Sequence, residues 1–182
     1  MSRKYKFHDH QVPHFVSFAT VGWVDLFTRR EYFRIIVNSL DHCINHKGLI
    51  LNAWCIMTNH VHLIIRSETN KLQDIMRDMK KFTSKKLVKA VTEHAQESRK
   101  ERLLQTFKRA GQANSNNTYH QVWQQHNHPI ELSTNMMIDQ RLDYLHMNPV
   151  KAGFVEQPRD WLFSSARNYA GAQGFLNLEL VI

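Results

Sequence analysis

The chain has 182 residues, 42% of them hydrophobic, which suits one domain with a hydrophobic core and is too short for a large multidomain enzyme. Its longest apolar run is far below the roughly 20 residues of a membrane-spanning helix, and the start of the chain lacks the apolar segment of a signal peptide. Cys43 and Cys55 lack CxxC spacing, which excludes a disulfide framework or zinc knuckle. We therefore expect a cytoplasmic protein with no membrane partner.

The formal net charge of +8, from 24 basic and 16 acidic residues, is concentrated in one segment. Residues 71–109 carry twelve basic and five acidic side chains, a surplus of seven. Such a stretch is typical of proteins that bind the phosphate backbone of nucleic acids, although a solvated helix face has the same charge. Charge alone leaves both interpretations open.

The first part of the chain predicts a strand, a helix and a hairpin. Residues 14–21 are β-branched and aromatic, as in a strand. A capping box at Thr28–Glu31 and apolar residues at helical spacing predict a helix that ends at Gly48. Two apolar runs, 49–57 and 60–66, are separated by only two residues and predict strands joined by a tight turn.

A second helix is predicted after Asn70, with one apolar stripe and basic residues on its other faces. Its far end, 90–109, is polar nearly all round, which predicts either a projecting helix or a mobile arm. Residues 110–118 have the composition of a flexible loop.

The remaining elements are a strand and two helices. Residues 119–125 predict a short fourth strand. A long helix begins at Ser133 or Thr134 and is expected to end near Asn148 and Pro149, because proline disfavours a helical residue before it. A short helix is predicted at 164–169.

The order β-α-β-β-α-β predicts an α+β fold of the ferredoxin-like type. We expect an antiparallel sheet with helices on one face, followed by a C-terminal helix that bears Tyr144, and a tail. The expected organisation is a single domain, 1–182, with a catalytic core at 12–150, a basic helical insertion at 70–110 and a tail at 151–182. This fold hosts many functions and identifies none by itself.

The motif His60-Val61-His62 is a candidate metal site. Side chains alternate along a strand, so His60 and His62 are expected on the same face, at the spacing of metal ligands. Single histidines on strands are often surface residues, but an apolar strand has little reason to place two of them on one face.

Tyr144 and Asn148 are one helical turn apart and form a polar edge of the last long helix, with Gln140 and Arg141 behind them. Two structural interpretations remain open. Asn148 would cap a following turn with Pro149 in its first position, and Tyr144 would be a half-buried packing residue.

These two motifs together resemble the single-tyrosine HUH transposases, in particular the REP-associated tyrosine transposases. The matching residues are His60-Val61-His62 and Tyr144-x-x-x-Asn148-Pro149-x-x-Ala152-Gly153. Further similarity lies at Val122-Trp123-Gln124, at His128-Pro129-Ile130-Glu131-Leu132 and at 164–169. The pair of motifs in this order is specific, and the resemblance runs from about residue 12 to 170.

The resemblance implies an endonuclease that cleaves and rejoins single-stranded DNA beside a hairpin through a 5′-phosphotyrosine intermediate. Tyr144 would be the nucleophile, and His60, His62 and Asn148 would hold Mg²⁺ or Mn²⁺. Insertion-sequence relatives typically use a glutamine as the third ligand, and here His146 and Gln140 are less favoured substitutes for Asn148. Because imidazole binds metal only when neutral, activity is expected to fall below about pH 6.

The expected partner is single-stranded DNA with a REP-like hairpin. The side chains expected to bind it are basic: Arg66, Lys80, Lys81, Lys85, Lys86, Arg141 and Arg167. Exposed aromatics such as Trp23 or Tyr169 would stack on unpaired bases. Insertion-sequence relatives are dimers that exchange tyrosine helices, whereas REP-associated relatives act as monomers, so either a monomer or a homodimer is expected.

Two other functions are compatible with the sequence. One is a non-catalytic ferredoxin-like domain that binds nucleic acid. The other is a zinc hydrolase in which His60 and His62 are joined by a third histidine, from the group His120, His126 and His128.

Overall fold

The computed structural model describes residues 7, 9–113, 119–125 and 127–181. The strands are β1 (His14–Ala19), β2 (Leu49–Ile56), β3 (His60–Ser67) and β4 (Ile130–Glu131). The helices are α1 (Arg30–Lys47), α2 (Leu72–Glu93), α3 (Lys100–Gln112), α4 (Asn135–Lys151) and α5 (Ala166–Tyr169), with 3₁₀ turns at Val21–Trp23 and Pro158–Asp160. Among these helices, none has the length and apolar character required to cross a membrane.

The four strands form one antiparallel sheet in the order β2-β3-β1-β4. Alternation along the strands gives the sheet two apolar faces. Val61 and Leu63 of β3 belong to the larger core, which also contains buried residues of α1, α2 and α3. Ile64 of β3 packs instead with Leu145 of α4. The expected α+β fold is confirmed, and the helix that bears Tyr144 lies on the opposite face of the sheet from α1 and α2.

Two predicted helix caps are wrong. The residue before α1 is Arg29, and no side chain caps the helix there; the Thr28 hydroxyl instead accepts a hydrogen bond from Arg99. The Asn70 amide donates to the carbonyl of Lys47 at 2.8 Å, and α2 begins after Lys71. In both cases the side chain that was expected to cap the helix is hydrogen-bonded to a residue distant in the sequence. The predicted stop at Gly48 is confirmed, with φ at +66°.

The segment predicted as a projecting helix or a mobile arm packs against the body of the protein. It contains the end of α2, a turn and α3, which buries Leu103 and Phe107 in the larger core. The segment 119–125 forms no strand: Trp123 makes one isolated bridge to Thr20, and the fourth strand is β4. Of the predicted loop 110–118, the first part belongs to α3, while 114–118 lie outside the described residues.

The bounds of α4 were predicted correctly at the start and wrongly at the end. The Thr134 hydroxyl caps the helix by accepting from the amide of Met137 at 3.3 Å. The helix continues through the buried Pro149 to Lys151, and Gly153 follows with φ at +75°. Proline disfavours but does not forbid a helical residue before it, and packing of the last turn overrides that preference.

The tail covers the open edge of β2. The backbone amide of Glu179 donates to the carbonyl of Leu51 at 3.1 Å, and the side-chain amide of the buried Asn52 donates to the carbonyl of Glu179 at 2.7 Å. The hydroxyl of Tyr169 donates to the carbonyl of Asn52 at 3.0 Å. Backbone groups at a bulge of this edge strand are thereby paired.

The turn between α2 and α3 is fixed by the buried carboxylate of Glu97. It forms ion pairs with Arg29 and Arg99, each at 3.0 Å, and accepts from the hydroxyl of Tyr32 at 3.1 Å. Burial alone would raise the pKa of Glu97, but its hydrogen bonds from Arg99 and Arg29 and the charge of Arg99 outweigh burial and hold the pKa at about 2. This network attaches the basic helices to the start of α1.

Replacing Glu97 should destabilise the fold in a pH-dependent way. We expect Glu97→Gln to lower the free energy of unfolding by about 2–4 kcal/mol at pH 7, because the arginines lose their buried counter-charge. The difference from the wild type should shrink as pH falls from 4.5 towards 2, where the wild-type carboxylate itself takes up a proton. Urea unfolding at pH 7 and pH 3 measures both effects.

The matched control is Glu93→Gln, since Glu93 is exposed and makes a single ion pair, with Lys89 at 3.6 Å. Equal losses in the two variants would show that the Glu97 network does not fix the turn.

Candidate active site

The structure brings the two motifs together on the face of the sheet that α4 covers. The ring centroids of His60 and His62 are 4.7 Å apart, and those of His62 and Tyr144 are 5.3 Å apart. The side chain of Asn148, one turn further along α4, lies beside His60. All four side chains belong to one chain, so this arrangement needs no exchange of helices.

His62 is the buried centre of the site. It is 4% exposed, its ring stacks on Phe15 at 5.3 Å, and neither ring nitrogen has a hydrogen-bond partner among the described residues. Burial, followed by the nearby His60 and Arg141, lowers its pKa to about 3, so the imidazole is neutral. Protonation of His62, which would prevent metal binding and was expected to reduce activity below about pH 6, is therefore shifted to a much lower pH. A buried, neutral imidazole with an unpartnered lone pair has the chemistry of a metal ligand.

His60 is oriented by a chain of hydrogen bonds. Its Nδ1 lies 2.7 Å from Oδ1 of Asn59, whose Nδ2 donates to the carboxylate of Asp25 at 3.1 Å. Since a carboxylate only accepts, the Asn59 oxygen must face His60, and Nδ1 must carry the proton. The lone pair is then on Nε2. Burial lowers the pKa of His60, and the neighbouring side chain of Asn148 partly offsets that effect.

Sequence reasoning missed Asn59 and Asp25 as parts of this site. The hydroxyl of Thr58 also donates to Asp25, at 2.7 Å, so both residues of the predicted turn contact the same carboxylate. Thr58 and Asn59 are polar and directly precede the histidine motif, and this local pattern could have indicated that Asn59 belongs to the site. Asp25 is 34 residues from Asn59, and no spacing rule connects the two.

Tyr144 and Asn148 have the placement that their spacing predicts. The Tyr144 side chain is 42% exposed and meets the ring of Phe15 edge-on at 6.0 Å, so it packs against the sheet and keeps part of its surface open to solvent. Asn148 lies inside α4, where its carbonyl accepts from the amide of Ala152, and it does not cap a new turn. The guanidinium of Arg141 lies over the ring of Phe15 at 5.2 Å and places a positive charge beside the site.

Of the two substitute ligands, His146 does not join this cluster. His146 is buried and its Nε2 lies 2.8 Å from the hydroxyl of Ser165, on the tail side of α4. Gln140 is exposed. Within the described ranges, no group of three or more His, Cys, Asp or Glu side chains could hold a metal ion. The third histidine of a zinc hydrolase therefore has no support there, and His126 lies outside the described residues.

Apart from Arg141, which lies beside the site, the basic residues expected to bind DNA fall into two groups. Lys81, Lys85 and Lys86 are exposed on α2, and the ammonium of Lys86 lies over the ring of Phe82 at 5.6 Å. They lie across the sheet from Tyr144, since α2 packs on the opposite face.

The other basic residues already have partners in the fold. Lys80 donates to the Gln124 carbonyl and to Asn127 Oδ1, both at 2.8 Å, and burial lowers its pKa to about 8. Arg66 pairs with Glu68 at 3.0 Å and with Glu179 at 2.5 Å. Arg167 donates to the carbonyl of Arg159 at 3.3 Å. These contacts leave less free positive charge for DNA than the sequence suggests.

The similarity of the chain to known proteins identifies its family. The family model for IS200-like transposases matches residues 27–122, just over half of the chain. The chain belongs to the IS200-like transposase family. The matched segment includes His60 and His62 and ends before Tyr144 and Asn148.

The transposase is also similar to a solved structure of a REP-associated tyrosine transposase bound to a REP hairpin. The two share 17% identity with a TM-score of 0.63, over 100% of this chain and 94% of that one. At this identity the likeness shows the fold. No curated protein matches the chain. The resemblance seen in the sequence is thus confirmed for the family and the fold.

The two buried, unpartnered nitrogens of His62 should lower the free energy of unfolding of the wild-type protein. We expect His62→Leu to raise the free energy of unfolding by about 1–2 kcal/mol at pH 7, because two buried unsatisfied polar atoms are replaced by an apolar group. The gain should increase between pH 6.5 and 4, by up to about 1.4 kcal/mol per pH unit, because the unfolded wild type binds a proton that the folded protein excludes. Denaturant unfolding across this range tests both effects.

His46→Leu serves as the control, since His46 is exposed on α1. If His62→Leu were instead less stable than the wild type at every pH, the interpretation of His62 as an unsatisfied buried ligand would be wrong.

Proposed function

We propose that this transposase is a metal-dependent endonuclease that cleaves and rejoins single-stranded DNA beside a hairpin, with Tyr144 as its nucleophile. The observation that carries the proposal is the contact of the Tyr144 and His62 rings within one chain. Similarity to a transposase that was solved with a REP hairpin supports a hairpin-bearing strand as the partner.

A divalent ion, Mg²⁺ or Mn²⁺, would be held by His60, His62 and the side-chain oxygen of Asn148. The unpartnered nitrogens of His62 and the tautomer of His60 support this ligand set. Such an ion supplies positive charge to the phosphate that is cleaved. Three neutral ligands make a weak site, from which the ion would exchange readily.

The chain's own residues would carry the covalent step. The Tyr144 hydroxyl passes its proton to water as its oxygen attacks the phosphorus, the P–O3′ bond breaks, and the departing 3′ oxygen takes a proton from water. The products are a 5′-phosphotyrosine and a free 3′-hydroxyl. Attack on that phosphotyrosine by a 3′-hydroxyl reverses the step, so rejoining needs no ATP. Arg141, whose guanidinium lies beside Phe15, would help to hold the negatively charged phosphate.

DNA capture would use charges in two places. Arg141 lies near the cleavage site, whereas Lys81, Lys85 and Lys86 form a separate exposed group on α2. Arg66, Lys80 and Arg167 would contribute less, because protein acceptors already engage them. Since both the tyrosine and the histidines come from one chain, we propose that a monomer is competent for cleavage.

Removal of one hydroxyl tests the nucleophile. Wild-type protein incubated with Mn²⁺ and a hairpin oligonucleotide with single-stranded flanks should form a covalent adduct that is visible on a denaturing gel. Tyr144→Phe should form none while binding the same DNA, because it loses only the attacking oxygen. Tyr119→Phe, at another exposed tyrosine, should react like the wild type.

Three results separate the functions. An adduct formed by Tyr144→Phe would exclude Tyr144 as the nucleophile. Wild-type protein that binds the hairpin and never cleaves it would be a non-catalytic binding domain. Zinc that stays bound at one equivalent through purification would favour a hydrolase.

Metal binding should be visible as stabilisation of the folded state. At a Mn²⁺ concentration 100 times the Kd, the free energy of unfolding should rise by about 2.7 kcal/mol. Asn148→Ala and His60→Ala should reduce this gain, since each removes a ligand. Thermal unfolding with and without Mn²⁺ measures it.

Every protein in that comparison should carry His46→Ala. His42 and His46 lie side by side on α1, with ring centroids 4.8 Å apart, and would bind Mn²⁺ by themselves. If Mn²⁺ stabilises the Asn148 and His60 variants as much as their parent, the ion is not held at this site.

A further inference from the structure

We propose that Trp23 is a stacking platform for an unpaired base of the DNA strand, next to the phosphate that is cleaved. This inference rests on the proposed function and adds a contact to the substrate.

Trp23 combines exposure with proximity to the site. Its side chain is 59% exposed, and its ring meets the His60 ring edge-on, with centroids 5.9 Å apart. Trp54 and Trp123 are buried in the core, and Trp161 donates its ring N–H to the carbonyl of Ile56. Trp23 is therefore the tryptophan that presents a large apolar surface to solvent beside the candidate ligands.

The backbone of Trp23 is strained. Its φ is +52°, directly after Gly22 at +64°, and bulky residues rarely adopt positive φ. The turn is held by hydrogen bonds from the Trp23 amide to the Thr20 carbonyl, at 3.1 Å, and from the Thr20 hydroxyl to the Val24 carbonyl, at 2.8 Å. Packing does not require a tryptophan here, because the ring is exposed. Strain of this kind concentrates at ligand-binding sites.

The surroundings of the turn suit a nucleic acid strand. A Cβ at Gly22 would lie 3.7 Å from the methyl group of Thr106, so the turn packs against α3. Arg102 and Arg109 are exposed on α3, about one helical turn before and after Thr106. The turn also follows β1 directly, at the end of the sheet where Ala19 pairs with His60. A strand at Trp23 would therefore lie between positive charges on α3 and the histidines.

These observations favour single-stranded DNA as the occupant. An exposed indole offers a flat face to any unpaired base, and such stacking contributes about 1–3 kcal/mol per base. Bases inside a duplex are already stacked and cannot use that face. Trp23 would thus hold the flanking strand, while the hairpin stem would bind elsewhere.

The test measures binding without cleavage, so every protein carries Tyr144→Phe. The probes are a labelled dT15 strand and a blunt hairpin that lacks flanks, followed by fluorescence anisotropy at fixed salt. Trp23→Ala should weaken dT15 binding by about 5- to 150-fold, the range that corresponds to one stacked base. Trp23→Phe should lose less, and binding of the blunt hairpin should not change.

Two further readouts exclude a merely structural effect. In the parent protein, dT15 should protect the exposed Trp23 from fluorescence quenching by acrylamide. The salt dependence of dT15 binding should be the same in Trp23→Ala and its parent, because no phosphate contact is lost. Phe175→Ala, at a similarly exposed ring in the tail, is the control and should bind dT15 normally.

The proposal is overturned if Trp23→Ala binds dT15 as its parent does, if it loses blunt-hairpin binding equally, or if dT15 gives no protection from quenching. These outcomes do not depend on cleavage. Failure of the wild type to form an adduct would overturn the proposed function and leave the stacking result unaffected.

Discussion

The whole site depends on the alternation of side chains along β3. Val61 and Leu63 are held in the larger core, so His60 and His62 must face the other side of the sheet. Ile64 on that side packs with Leu145 of α4, which positions the helix that carries Tyr144. The apolar packing that stabilises the fold therefore also sets the distance between the histidines and the tyrosine. A shift of one residue in the pairing of β3 would remove both histidines from the site.

Several groups of the site lower the stability of the folded protein. His62 is buried without a hydrogen-bond partner, and Trp23 has a backbone conformation that bulky residues avoid. His60, in contrast, is fixed by Asn59 and Asp25. Unsatisfied and strained groups beside a well-ordered one are typical of a site that is prepared for a ligand. The rest of the fold, including the Glu97 network, compensates for that cost.

The sequence predicts what depends on local spacing and misses what depends on tertiary contact. Period-two alternation placed His60 and His62 on one face, and helical spacing placed Asn148 one turn from Tyr144. The cap at Thr28 was wrong because Arg99, 71 residues away, engages its hydroxyl. The polar segment 90–109 gave no sign that Leu103 and Phe107 would be buried. Asp25 and Trp23 reach the site only through the folded arrangement of the turn after β1.

The pairing of the tail with β2 has a consequence for how copies of the protein behave in solution. The Glu179 amide donates to the carbonyl of Leu51, and the Glu179 carbonyl accepts from the side-chain amide of Asn52, on an edge strand that would otherwise offer a template for another chain. The carboxylate of Glu179 also holds Arg66. A variant shortened before Glu179 would free the carbonyl of Leu51 and leave Arg66 paired with Glu68 alone, so strand addition at that edge would favour aggregation.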